Sequence, residues 1–555
     1  MNSRRMIVIL LIALSTFGRS AEKVRIYETN RAYRQGDWVT YGVSRFVRHI
    51  AVGEPYVYFA TTGGITRMNM FSLQWDTPWT VSNGLASNNV YLVAKDRNTG
   101  FLWAVTDVGV SRQEPALERW FNVFYDELGL TRNETVISIG FGDNRQVYLV
   151  TSDNRWLVSD NTSADFAPIQ PLFSDEFIRW YGHREARSGD LPHFFMDGGY
   201  LFNNTRRYID DLQFRHWPIT HWLRDEWHTL WLATWGLGVG RGDLNTMRLE
   251  LYPFGLWDDA VDAIARDGGS FWLGGMQESR EPSGVTEWRG GAAAPSFYEP
   301  QLITGFTSDQ VTAVAADARF VWFGTRHGLT FFDKHRNRWR TLTVADRLTN
   351  DEVNQVVVDG PHVWAATASG LCRIERQSVT GDSVRVQHIK PAALRTIKVY
   401  DAAVQENLIW LATEFGVYVY DQTTDEGGFY KGIDGPFDRT VYAVSVWNDE
   451  VWFGARDGIF AFDSATKEWL DPPAKYYRTD AGINRILATR QAVWVATNGG
   501  LLKYDREQAR WVEFSVADGL ADDRVYSLLL DGDYLYIGGA SGLTRFYWNA
   551  PYRID

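Results

Sequence analysis

The stretch VWFGTRHGLTFFD, residues 321–333, decides the fold because the chain repeats it with small changes. Close copies are VWAATASGLCRIE at 363–375, IWLATEFGVYVYD at 409–421, VWFGARDGIFAFD at 451–463, VWVATNGGLLKYD at 493–505 and LYIGGASGLTRFY at 535–547. The aromatic residue at the second position recurs every 42 or 46 residues, and a glycine follows it six residues later. Self-similarity with a period of this length predicts a solenoid or a propeller.

Each period divides into four short segments in which apolar residues alternate with polar ones, separated by turn residues. In one unit these segments are NQVVVD from Asn354, VWAAT from Val363, GLCRIE from Gly370 and RVQHI from Arg385. The glycine before the third segment indicates a tight turn with positive φ or a close backbone approach. Four strands in about 42 residues are typical of a propeller blade, so we predict an all-β protein with the β-propeller fold.

Looser copies of the unit occupy the first half of the chain. They are centred on Tyr58, Trp103, Tyr148, the neighbourhood of Phe194, Trp231 and Trp272. The total of about twelve four-stranded blades exceeds the four to eight of an ordinary ring, so we predict two propellers. Residues 21–300 would form the N-terminal blades and residues 301–555 the C-terminal blades.

The last blade is one strand short, because only residues 549–555 follow its third strand. The segment DWVTY at 37–41 has the pattern of an outer strand without a blade of its own, and we expect it to close the final blade and hide an unpaired edge. Such a closure would place the first and last blades in one ring with the second ring inserted between them. A single large ring is a further alternative.

The first 20 residues have the features of a secretory signal peptide: Arg4 and Arg5, an apolar run at 6–14, and small and polar residues at 18–21. The run is shorter than the roughly 20 residues of a membrane-spanning helix. We therefore expect a periplasmic or secreted protein with no membrane span after cleavage. The single cysteine, Cys372, excludes an intramolecular disulfide. A net charge of −12 without a basic cluster argues against nucleic acid as a partner.

Most of the conspicuous residues recur at equivalent positions and are therefore interpreted as structural. Eight tryptophans begin the second strand of a unit: Trp103, Trp231, Trp272, Trp322, Trp364, Trp410, Trp452 and Trp494. Recurring aspartates end the first or third strand, where Asx hydrogen bonds cap turns. No Ser-His-Asp order, phosphate-binding loop or zinc signature is recognisable, so no catalytic residues and no cofactor are predicted.

The repeat is most degenerate between residues 156 and 257, where tryptophans and five of the ten histidines crowd together. Aromatic side chains with polar tips suit ligands that are part apolar and part hydroxylated. The predicted ligand-binding residues are Trp180, His216, Trp222, Trp227, His228, Trp235 and Trp257. The alternative is a diverged blade whose core is filled by these bulky side chains. His216, His221 and His228 are five and seven residues apart, which places neighbours on opposite faces of a strand, so no metal site is predicted.

Two longer segments resemble a known repeat. VWFGTRHGL with RWRTLTVADRLTNDEVNQVVVD at 338–359, and RWVEFSVADGLADDRVYSLLLDG at 510–532, are similar to the two-component regulator propeller repeat of periplasmic sensor regions in hybrid histidine kinases. The resemblance implies an extracytoplasmic recognition module, here without the transmembrane and kinase modules of those proteins. The repeat is a framework motif and implies no ligand residues.

The leading hypothesis is therefore an exported, non-catalytic β-propeller that recognises a ligand or protein, with a sensing or scaffold role at the cell envelope. Its partner would be a glycan, a peptide or an envelope protein. One alternative is a polysaccharide-acting lyase or hydrolase on a propeller scaffold, since fold does not fix function. Another is an envelope assembly factor recruited by strand addition at a propeller edge.

Overall fold

The computed structural model describes residues 33–553 except 117–118, 161, 173, 187–188, 277–282, 292, 380–383, 431–438, 457 and 471–480. The predicted signal peptide, residues 1–20, lies outside these residues. The described chain is all-β, with antiparallel sheets and short 3-10 helices. Among the described residues, no helix has the length and apolar character needed to cross a membrane.

The first half of the chain contains four sheets and one strand that belongs to the last sheet of the chain. That strand is β1 (Trp38–Tyr41). The first sheet contains β2 (Val47–Gly53), β3 (Tyr56–Thr61) and β4 (Gly64–Asn69), and the second contains β5 (Val90–Lys95), β6 (Leu102–Thr106), β7 (Gly109–Glu114) and β8 (Arg119–Phe124). The third contains β9 (Val136–Gly142), β10 (Gln146–Thr151), β11 (Trp156–Asp160), β12 (Ala167–Ile169) and β13 (Ile178–Gly182). The fourth contains β14 (Leu201–Asn203), β15 (Tyr208–Asp210), β16 (His216–Arg224), β17 (Thr229–Thr234), β18 (Val239–Asp243) and β19 (Arg248–Tyr252).

Seven sheets of regular form follow. Their strands are β20 (Ala263–Asp267), β21 (Ser270–Gly274), β22 (Val285–Trp288) and β23 (Ser296–Tyr298); β24 (Val311–Ala316), β25 (Phe320–Thr325), β26 (Gly328–Asp333) and β27 (Arg338–Leu342); and β28 (Val353–Asp359), β29 (His362–Thr367), β30 (Gly370–Glu375) and β31 (Val386–His388). Next are β32 (Val399–Gln405), β33 (Leu408–Thr413), β34 (Gly416–Asp421) and β35 (Glu426–Phe429); and β36 (Val441–Trp447), β37 (Glu450–Ala455), β38 (Gly458–Asp463) and β39 (Glu468–Leu470). The last are β40 (Ile483–Ala488), β41 (Ala492–Thr497), β42 (Gly500–Asp505) and β43 (Arg510–Phe514); and β44 (Val525–Asp531), β45 (Tyr534–Gly539) and β46 (Gly542–Tyr547).

The short 3-10 helices are Val81–Asn83, Pro300–Leu302, Val344–Asp346, Arg376–Ser378, Ala392–Arg395 and Val516–Asp518. Two of them, Val344–Asp346 and Val516–Asp518, are formed by the TVAD and SVAD sequences of the repeat. Asp346 Oδ2 accepts a hydrogen bond from the Thr343 backbone N–H at 3.1 Å, and Asp518 Oδ2 accepts one from the Ser515 N–H at 3.0 Å. These aspartates therefore stabilise turns, as a framework motif requires.

The described residues form eleven sheets rather than twelve. The unit expected near Phe194 has no sheet of its own, because β14 and β15 hydrogen-bond onto β16 and extend the fourth sheet to six strands. Phe195 forms only an isolated bridge, to Arg248 at the far edge of that sheet.

The first strands of the last seven sheets pack against one another in sequence, from β20 through β24, β28, β32, β36 and β40 to β44, and β44 packs against β20. These sheets form a closed propeller ring. In the first half, β16 packs against β2 and β2 against β5. The division near residue 300 stays a prediction, and these contacts favour an earlier boundary, before Ala263.

The seventh ring sheet takes its outer strand from the other end of the chain. β1 pairs with β46 in antiparallel register, with Trp38 opposite Phe546 and Tyr41 opposite Leu543. The Trp38 and Phe546 rings stack with centroids 3.7 Å apart. The edge that β46 would otherwise expose is thereby paired.

The tryptophans of the repeat form the cores between sheets. All eight that begin a second strand are at most 3% exposed, which confirms their structural interpretation. The recurring aspartates cap turns at several of the predicted positions. For example, Asp421 Oδ1 accepts from the Thr423 N–H at 2.7 Å, and Asp463 Oδ1 accepts from the Ala465 N–H at 2.9 Å.

Ten strands carry a β-bulge, and we call the residue after each bulge the post-bulge residue. These post-bulge residues are His49, Leu92, Ser138, His221, Ala313, Gln355, Asp401, Ala443, Arg485 and Ser527. Asp401 Oδ1 accepts hydrogen bonds from Gln355 Nε2 at 2.7 Å and from Arg485 Nη1 at 2.8 Å. Because β36 lies between the strands of Asp401 and Arg485, these side chains meet inside the ring. A β-bulge changes the direction in which a side chain points, and this allows the three side chains to meet.

Candidate functional site

The degenerate region of the repeat contains an exposed sheet face on β14, β15 and β16. Cross-strand pairing places Leu201, Asp210 and His216 in one row on the outer side. The row next to it, Phe202, Ile209 and Trp217, points to the opposite side and is buried in the core. Strand alternation thus leaves one side of this extension without cover from the described chain.

Two further apolar side chains are exposed in the turn that joins β15 to β16. Leu212 and Phe214 are 68% and 78% exposed, and Leu201 on β14 is 63% exposed. We call the exposed surface of β14–β16 and of this turn, with Leu201, Asp210, Leu212, Phe214 and His216, the hairpin face. Soluble proteins rarely expose grouped large apolar residues unless they bind something there.

The predicted ligand-binding residues do not form one site. Only His216 lies on the hairpin face, where its Nδ1 contacts Asp210 Oδ1 and its ring lies 4.6 Å from the Tyr208 ring. Trp227 is 45% exposed and meets the exposed Phe71 edge to face, with centroids 5.5 Å apart. His228 is exposed in the turn that follows.

The other predicted residues contact the protein itself. Trp180 on β13 donates its Nε1–H to Asp175 Oδ2 at 3.0 Å. The Trp222 ring is partly buried beneath the guanidinium of Arg207. Trp235 packs against Phe46 with centroids 5.0 Å apart.

Trp257 is buried and lines a cavity of about 300 Å³ beside the fourth sheet. The guanidinium of Arg45 lies 4.0 Å above its ring. Arg215 at the same cavity forms a two-pronged ion pair with Glu299, at 2.7 and 3.2 Å. Trp257 is thus packed against Arg45 within the protein, and the Arg215–Glu299 ion pair lines the same cavity.

A second constellation joins three sheets. His49 is the post-bulge residue of β2, His221 is the post-bulge residue of β16, and Glu185 lies in the turn after β13. Glu185 Oε2 is 2.7 Å from His49 Nε2 and 3.4 Å from His221 Nε2. The two imidazole rings lie 4.2 Å apart, centroid to centroid. We call these three residues the His–Glu–His cluster.

The electrostatics of the cluster favour an ionised carboxylate between imidazoles. Burial raises the pKa of Glu185, but the hydrogen bonds with His221 and His49 outweigh it and lower the pKa to about 2. Burial lowers the pKa of His49, and the positive charge of a protonated His221 would lower it further. Glu185 is therefore an anion at neutral pH, with His49 held neutral beside it.

Spacing along the chain does not reveal this cluster, because it relates His221 only to the neighbouring His216 and His228. His49 and His221 are 172 positions apart yet occupy the same place in the repeat, in VRHIAV and ITHWLR. Aligning the first strands on the residue after the bulge would have paired them. Glu185 carries no repeat signal, since it lies outside the unit.

Comparison with known proteins gives the fold. No protein-family model and no curated protein matches the chain. PorZ, described as an essential bacterial surface component of the type-IX secretion system of Porphyromonas gingivalis, is similar with a TM-score of 0.60 and 17% identity over 92% of this chain and 87% of that chain. The extracellular domain of the hybrid two-component system BT4673 from B. thetaiotaomicron gives a TM-score of 0.45 and 15% identity over 92% of this chain and 71% of that chain. The sheets and their ring packing show that the chain is a β-propeller protein, and the likeness to PorZ at this identity concerns the fold alone.

Proposed function

We propose that this protein is an exported, non-catalytic propeller that recognises an envelope protein through the hairpin face. The observation that carries the proposal is the exposure of three large apolar side chains, Leu201, Leu212 and Phe214, within one hairpin extension of the fourth sheet. Burying apolar surface is the main favourable term in protein association. Covering such a face with a partner therefore lowers the free energy of the complex.

The chemistry of the face favours a protein over a glycan. Sugars bind to the flat side of aromatic rings, whereas two of the three exposed residues are leucines, whose branched ends offer no flat surface. The outer edge of β14 has no partner strand within the described part of the chain. A protein segment can add a strand at such an edge and place side chains against the apolar residues.

Three observations support a location at the cell envelope. The first 20 residues have the pattern of a signal peptide. The repeat resembles that of the two-component regulator propellers, and we propose that the chain belongs to that group. The similar protein PorZ is described as a bacterial surface component.

The test is site-specific photo-crosslinking in cells that produce the protein. A benzophenone amino acid replaces Phe214 in one variant and Phe415 in a matched control, since Phe415 is 57% exposed in a turn of the seven-sheet ring. We expect one defined adduct with an envelope protein from position 214 and none from position 415. Equal labelling from both positions, or none from position 214, would refute the proposal.

Affinity measured with the purified partner completes the test. We expect Phe214→Ser to weaken binding at least tenfold, which corresponds to about 1.4 kcal/mol, while Phe415→Ser leaves it unchanged. Calorimetry with a panel of oligosaccharides distinguishes the glycan alternative. Glycan binding that is lost on Trp222→Ala and Trp227→Ala substitution, with no protein adduct at position 214, would assign recognition to the aromatic residues instead.

A further inference from the structure

We propose that His49, Glu185 and His221 bind a divalent transition metal ion, for which Zn²⁺ is the natural candidate. The three ligand atoms all lie within 4.8 Å of one another. They come from three separate sheets, so the fold itself assembles them. This site is independent of the hairpin face.

Binding an ion requires the three ligand atoms, now within 4.8 Å of one another, to adjust to equal spacing. Zn²⁺ bonds histidine nitrogen and carboxylate oxygen at about 2.0–2.2 Å, so the ligand atoms of a tetrahedral site lie about 3.3 Å apart. The Glu185–His221 distance of 3.4 Å already matches this value, and the Glu185–His49 distance of 2.7 Å must open slightly. An ion between the three atoms would replace the hydrogen bonds that now join them.

The ligand types suit the ion. Imidazole and carboxylate are zinc ligands, and two histidines with one glutamate leave a fourth position for water or another ligand.

Such an ion would fix the turn after β13 to the first strands of two other sheets. β16 and β2 pack against each other directly, whereas Glu185 reaches them from the turn beyond the third sheet. The metal would therefore hold in place the irregular part of the first half of the chain.

The test is calorimetric titration of untagged, chelator-treated protein with Zn²⁺ alone. We expect one ion per chain for the wild type, and a dissociation constant raised at least about 100-fold in both His221→Ala and Glu185→Gln. His221 and Glu185 are changed, rather than buried His49, so that core packing is preserved. Circular dichroism checks that each variant is folded.

The matched control is His183→Ala, which removes an exposed imidazole from the same turn as Glu185 and should leave the affinity unchanged. Co²⁺ serves as a second probe, because its visible absorption reports coordination by these ligands directly. We expect the wild type and the control to give the same spectrum, which both ligand variants lose. A folded wild type that binds no Zn²⁺, or ligand variants that bind it as tightly as the wild type, would overturn the proposal.

Discussion

Replacing Trp38 with alanine should open the seven-sheet ring at the sheet where the two ends of the chain meet. The Trp38 side chain is 2% exposed, stacks on Phe546 and lies edge-on to Tyr33. Trp→Ala changes in a core cost about 3–5 kcal/mol of unfolding free energy. The indole N–H of Trp38 is buried without a hydrogen-bond partner, and removing it returns part of this cost. We therefore expect a loss of about 3 kcal/mol, at the lower end of the range.

Equilibrium unfolding in guanidinium, followed by circular dichroism, measures this loss, and hydrogen exchange locates it. Faster exchange should be confined to β44–β46 and β1 and should spare β5–β8. The control is Trp227→Ala, which removes a 45% exposed ring and should change the free energy by no more than about 0.5 kcal/mol. A loss below about 1 kcal/mol in Trp38→Ala, or exchange that rises equally in all sheets, would refute the role of β1 in ring closure.

Three further predictions concern other parts of the fold. Gly370→Ala should prevent the folding of its sheet, because Gly370 has a φ of +105° and an added Cβ would lie 1.8 Å from the Leu394 carbonyl oxygen; a soluble variant with the wild-type melting temperature would contradict this. Asp401→Ala should lower the unfolding free energy by about 3 kcal/mol, because it leaves the Arg485 charge inside the ring without its carboxylate. Adding Arg485→Met should recover most of that loss in urea titrations, and a double variant less stable than the single one would argue against the pair. Burial raises the pKa of Asp258 to about 7, above its unfolded value, so its stabilising contribution is complete below about pH 4 and is lost as the pH rises through 7. Asp258→Asn should therefore lose less stability than the wild type between pH 5 and pH 8, and parallel pH profiles would contradict this.

The sequence predicted the repeated framework well, because each of its features has a local cause. An aromatic residue begins the second strand in nearly every unit and the glycine six residues later recurs in eight of them, and both are set by the blade itself. The sequence predicts a separate unit near Phe194, because apolar residues alone do not tell whether a strand starts a new sheet or extends an existing one. Here β14 and β15 extend a sheet, an outcome of long-range pairing that no local pattern contains.

The candidate sites were harder to predict, for two different physical reasons. The hairpin face depends on which side of β14–β16 the core covers, and the crowding of tryptophans and histidines does not reveal this. Tryptophan is common on binding surfaces, yet the fold packs the Trp257 and Trp222 rings against the guanidinium groups of Arg45 and Arg207. The His–Glu–His cluster depends on contacts between sheets, which spacing along one strand cannot show.

The post-bulge position divides the chain into two sets of residues that can change separately. The residues that pack between neighbouring sheets are largely apolar, and they carry the stability of every blade. The residue after each bulge varies more: Leu92, Ala313 and Ala443 belong to the core, whereas other blades have serine, glutamine, arginine, aspartate or histidine there. Duplication of a blade therefore supplies a new sheet together with one position that tolerates a polar side chain. A propeller of this kind can acquire a charge pair or a cluster of ligands there while its outer architecture stays as it was.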